Sequence, residues 1–275
     1  MTNKWLKVAL MVTAIATGTS INIDAETVLY VPQDDRPVSL QYTVDTAREA
    51  GMTVLTPPQH LISGKTYQGQ ADQIMAWVEQ NAGRADVMVL STDTLIYGGL
   101  VDSRKHNIPL STLQNRLKRI EGLKARNKNV RIYGFGTVMR SPRASGGGTE
   151  PAYYAEYGPT IFQIAALQDK LDSGSLTQEE TQKMMSLQAS VPVEYLQDWF
   201  DRRQKNMKIN KELIDETRSG VFDYFALGHD DTSQLSQSAL EGRYLNKYSK
   251  DISVEKYGSF PGADQLGLLL MARSR

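Results

Sequence analysis

Acidic and basic side chains in this chain collect where apolar strand patterns end. VPQDDRPV sets Asp34, Asp35 and Arg36 directly after a β-rich run. STDTLIYGGLVDSR places Asp93 and Arg104 after the next convincing apolar run, and Arg140 follows another. GHDDTS carries His229, Asp230 and Asp231, and Asp264 sits in PGAD. Three chemistries fit such a set. Two carboxylates across a sugar serve glycoside hydrolysis, one as acid and one as base or nucleophile. Aspartates with one histidine suit a hard divalent cation and metal-assisted hydrolysis. Arginines facing a groove hold an anionic or sugar ligand with no catalysis at all. The candidate acid–base groups are Asp34, Asp35, Asp93, Asp230 and Asp231; Arg36, Arg104, Arg140, His229 and Asp264 are candidates for substrate contact.

Each has a plainer reading. Asp35, Asp231 and Asp264 could be the N-caps of the helices that follow, and the arginines could simply pair with the carboxylates. Asp93 is the exception, because TLIYGG does not open a clean helix pattern. His229 is one of three histidines, and the acids beside it should raise its pKa. The three glycines at 146–148 lack the Lys-Ser/Thr of a phosphate cradle, and no G-x-S-x-G is present.

The elements that would position these groups alternate strand and helix. ETVLYV (26–31), MTVLT (52–56), ADVMVLS (85–91), VRIYGFGTV (130–138), VFDYFALG (221–228) and ISVEKYGSF (252–260) read as strands, with amphipathic helix patterns between them. That rhythm predicts an α/β fold with a mostly parallel sheet, either open and doubly wound or an incomplete β/α barrel. In either, every strand-to-helix connection reaches one edge, so the charged strand ends converge there. Residues 152–219 carry only helical patterns and read as a helical insertion within a single domain, 26–275. Thr177 and Glu180 form a capping-box pattern, and Pro192 suits the first turn of a helix reaching about Arg218. In that helix Arg203 and Asn206 are three apart and share a face. They are expected to look into the strand-end cleft, while Val193, Leu196 and Trp199 bury another part.

The chain has 275 residues, zero net charge and no cysteine. A basic nucleic-acid footprint is missing, and disulfides, thiolate metal sites and a thiol nucleophile are excluded. Lys4 and Lys7 precede the apolar run 9–23, and Ala25 precedes Glu26, the order of a secretory signal peptide cut after residue 25. Removing residues 1–25 takes away Lys4, Lys7 and Asp24 and leaves a net charge of −1. The run is short and diluted by Thr, Ser and Gly, which favours a cleaved signal over an uncleaved anchor.

VPQDDRPV, the TPP at 56–58, STDTLIYGGLVDSR, MRSP (139–142), RRQKN (202–206), GHDD and PGAD together resemble the signature blocks of the bacterial domain of unknown function 4127 family, in the same order. The resemblance implies no activity. It marks Asp34, Asp35, Arg36, Asp93, Tyr97, Arg104, Arg140, Arg203, Asn206, Asp230, Asp231 and Asp264 as the positions to watch. It also implies a longer chain than one stopping at ARSR, and an acid where Gln265 stands. The expectation is an exported hydrolase for a glycan-type or other polar substrate, with or without a divalent cation; a non-catalytic binding protein for an anionic or sugar ligand is the alternative.

Overall fold

The computed structural model describes residues 25–144, 147–231 and 233–275. The signal-peptide expectation rests on residues 1–24, which lie outside these. Six strands are present: β1 (Thr27–Val31), β2 (Thr53–Leu55), β3 (Val87–Ser91), β4 (Arg131–Val138), β5 (Tyr224–His229) and β6 (Tyr257–Pro261). Their order across the sheet is β2-β1-β3-β4-β5-β6, and every pairing is parallel. This is an open doubly wound sheet, not a barrel. The order reverses between β1 and β3, and a crevice at the carboxyl ends of such a pair is where ligands of these folds sit.

Helices cover both faces. Val28, Tyr30, Val87, Val89, Phe135 and Ala226 meet α1 (Gln41–Glu49) and α10 (Leu266–Arg273) on one side. Leu29, Val31, Met88, Leu90, Ile132, Phe225 and Leu227 meet α2 (Ala71–Asn81), α5 (Leu110–Arg126), α8 (Val193–Ser219) and α9 (Gln237–Tyr248) on the other. Alternate residues of one strand thus feed two cores, which explains why β3 is buried along its whole length. No helix among the described residues is long and apolar enough to cross a membrane.

Between β4 and β5 the chain builds α6 (Tyr154–Asp172), α7 (Gln178–Ala189) and α8. Thr177 caps α7 through the full capping box with Glu180. The second half of α8 lies on the sheet through Ile209, Leu213 and Ile214. Its first half joins α6 in a separate apolar cluster around Tyr154, Ile161 and Trp199. The helical block is therefore an elaborated crossover. Trp199 is buried as expected, whereas Val193 is exposed.

TLIYGG does form a helix. The short α3 (Thr92–Tyr97) starts directly after β3, with Ser91 accepting the Thr94 N–H. It ends at Gly98, whose φ of +114° only glycine adopts readily. A second short helix, α4 (Leu100–Lys105), follows at once.

Candidate functional site

Four consecutive residues build the centre of the carboxyl edge. Ser91 caps α3, Thr92 Oγ1 donates to the Phe135 carbonyl in β4, and Thr94 Oγ1 donates to the Pro32 carbonyl after β1. Asp93 is left pointing between the three strand ends. Its Oδ2 accepts from Thr137 Oγ1 at 2.7 Å and from Gln33 Nε2 at 3.4 Å. Asp93 is only 2 % exposed. Burial pushes its carboxyl up to about 6, against the pull of those hydrogen bonds and of the more distant Arg104 guanidinium.

Around it the strand-end charges are tied in pairs. Arg36 Nε donates to Asp34 Oδ2 at 2.7 Å, and Arg36 Nη2 reaches Asp264 at 2.8 Å, so one guanidinium links the ends of β1 and β6. The Tyr67 hydroxyl donates to Asp35. Arg104 Nη2 donates to Asp230; burial raises the Asp230 carboxyl, with Arg104 and Arg140 pulling the other way and Asp264 adding to the rise. Arg140 Nε donates to Glu150 Oε1 at 2.7 Å and its Nη2 to Thr149 Oγ1. Arg36 holds Asp34 and Asp264, and Arg104 holds Asp230, whereas Asp35 is held by the Tyr67 hydroxyl and Asp93 by Thr137 and Gln33. Among the described residues no group of three or more His, Asp or Glu side chains could hold a metal ion.

Capping does not explain the aspartates. The N-cap positions of α1, α9 and α10 are Leu40, Ser236 and Gln265. Asp231 is engaged differently, accepting the N–H groups of Ser233 and Ser141.

Arg203 and Asn206 are buried beneath this edge. Arg203 forms a two-pronged pair with Glu241, both contacts at 2.8 Å, and its remaining N–H groups hold the Met139 and Arg140 carbonyls at the end of β4. Asn206 Nδ2 donates to the Ser103 carbonyl, and its Oδ1 meets His106 Nε2 at 2.8 Å. That fixes the His106 tautomer, because its Nδ1 accepts the Ile108 N–H. Burial lowers the His106 pKa to about 4, so the ring is neutral.

Tyr97 stacks on His106, ring centroids 4.9 Å apart. Both line a polar pocket of about 560 Å³ with Asp102, Gln70, Gln73 and Asn107. Burial also raises the Asp102 carboxyl. Three buried polar atoms near this centre have no partner: Gln33 Oε1, Arg104 Nε and the Tyr97 hydroxyl.

His229 departs from expectation. Burial lowers its pKa, and its Nε2 meets Ser259 Oγ at 2.6 Å instead of a carboxylate. With Asp231 it lines a different pocket, of about 350 Å³. The edge thus joins Asp34, Arg36 and Asp264, and Arg104 with Asp230, around Asp93, and sets His229 and Asp231 to one side. Gln33, Thr137, Asp102, His106 and Glu241 were not foreseen. Gln33 carried a signal, as the amide between the first strand and the two acids; the others depend on contacts 33 to 100 residues apart, of which Asp102 with Gly69 and His106 with Asn206 are the extremes.

Residues 28–275 match the family described as Protein of unknown function (DUF4127). The chain belongs to this family. The match spans nearly every described strand and helix, including all the charged strand ends of this DUF4127 chain. No curated protein and no solved structure matches it.

Proposed function

We propose that this DUF4127 chain is an exported hydrolase acting on a glycan-type or other polar substrate at the carboxyl edge of its sheet. The observation that carries the reading is Asp93. Burial beside the strand-order reversal lifts its carboxyl to about 6, a range suited to proton transfer near neutral pH, although Asp93 itself does not line the neighbouring polar pocket. The pocket lined by Asp102, Tyr97 and side-chain amides offers donors and acceptors that match the hydroxyls of a sugar. Export is supported by Lys4 and Lys7, the apolar run and Ala25. N-terminal sequencing of the exported protein should begin at Glu26; an intact Met1 on a cytoplasmic protein would overturn the export proposal.

A second reading, a non-catalytic binder of a sugar or anionic ligand, draws on a different observation. Asp34, Asp35, Asp230, Arg36, Arg104 and Arg140 are each already bonded to a neighbour. Incubation with a panel of 4-nitrophenyl glycosides separates the two readings. Release of nitrophenolate from at least one member supports the hydrolase. Saturable glycan binding, with no release from any member, supports the binder.

A further inference from the structure

Ser259 and His229 meet on the same edge, away from Asp93. Leu227 of β5 is level with Ser259 of β6. Strand alternation puts Leu227, His229 and Ser259 on the sheet face that carries α9. The imidazole fits over Gly242 of that helix: a Cβ there would lie 2.5 Å from His229 Cε1 and 2.8 Å from Nδ1. A glycine in mid-helix costs stability; here it makes room for a ring. Both side chains line the 350 Å³ pocket, with Gln234, Arg243 and Asn246.

We propose that Ser259 and His229 form a nucleophile–base dyad that hydrolyses short-chain carboxylic esters. With the ring proton on Nδ1, Nε2 accepts the Ser259 hydroxyl proton across the 2.6 Å contact as Oγ adds to the ester carbonyl carbon. Collapse of the tetrahedral intermediate breaks the bond to the alcohol oxygen, which takes that proton from Nε2 and leaves. Water then gives a proton to Nε2 and adds to the acyl carbon. The carboxylic acid departs, and Oγ regains its hydrogen from Nε2. Burial lowers the His229 pKa, which keeps the ring in the neutral form this base needs. Gln234 and Asn246 bring amide N–H groups that can face the carbonyl oxygen. Asp231 lines the pocket too, but its oxygens accept the Ser141 and Ser233 N–H groups, so the arrangement is a dyad and not a triad. Dyads of this kind are defined by geometry and roles, which is why the missing G-x-S-x-G is no obstacle.

The test is labelling of the full chain with a fluorophosphonate, which phosphonylates activated serines, followed by peptide mapping. The expected adduct is on Ser259. It should vanish in Ser259→Ala and form about 100-fold more slowly in His229→Gln. Gly242→Ala, which pushes the ring off its seat, should slow labelling while Ser259 and His229 both remain. Folded wild-type protein with no adduct on Ser259 would overturn the proposal. An adduct that forms equally fast in His229→Gln would remove His229 as the base and overturn the dyad.

Discussion

Glu241→Ala is expected to destabilise the protein by about 3–5 kcal/mol, the cost of leaving a buried charge without its partner. Arg203 is 1 % exposed, and Glu241 takes two of its N–H groups. The guanidinium also packs 5.2 Å over the Trp199 ring and holds two carbonyls at the end of β4. Alanine removes the negative charge and leaves the positive one in place. For a chain of this size the melting temperature should fall by roughly 6–20 °C. A second change, Arg203→Met, tests the cause: placed on top of Glu241→Ala it should recover part of the loss, because it removes the stranded charge. Thermal melts of the two variants decide this. A drop under about 2 °C for Glu241→Ala would show that the pair is not a structural clamp.

Asp93→Asn is expected to raise stability, and only at the higher pH. A carboxyl lifted to about 6 by burial favours its protonated form in the fold. That contribution is fully present below the ordinary aspartate value of about 3.8 and is lost as pH rises through about 6. Above that, the buried charge costs about 3 kcal/mol. The amide keeps an acceptor for Thr137 Oγ1 and carries no charge. The variant should therefore melt higher than wild type at pH 8, by roughly 6–12 °C, and the gap should close toward pH 4. A gap independent of pH would show that Asp93 is not held in this environment.

The sheet was readable because hydrophobic runs alternate with amphipathic helices, and parallel crossovers place all the strand ends on one edge. That same rule located Asp34, Asp93, Arg140, Asp230 and Asp264. Two local signals are also present: Ser91 before and Gly98 after TDTLIY are a helix cap and stop, although the apolar run before them reads as a strand end alone. The i,i+3 spacing of Arg203 and Asn206 gave a shared face expected to look into the strand-end cleft; both side chains are instead buried against other elements. Glu241, Ser103 and His106 come from other elements, and no local pattern carries that pairing. The direction of the His229 pKa failed for the same reason. Adjacent acids were visible in sequence, whereas the burial that outweighs them, and the seat on Gly242, exist only after α9 packs on the sheet.

The acid–base role of Asp93 is tested most directly by turnover in Asp93→Asn, on whichever nitrophenyl glycoside the wild type cleaves. The expected result is a loss of about 100-fold or more in kcat, with glycan binding retained and the higher melting temperature at pH 8 as proof of an intact fold. Wild-type turnover in that folded, stabilised variant would contradict the role assigned to Asp93 and with it the proposed hydrolase site.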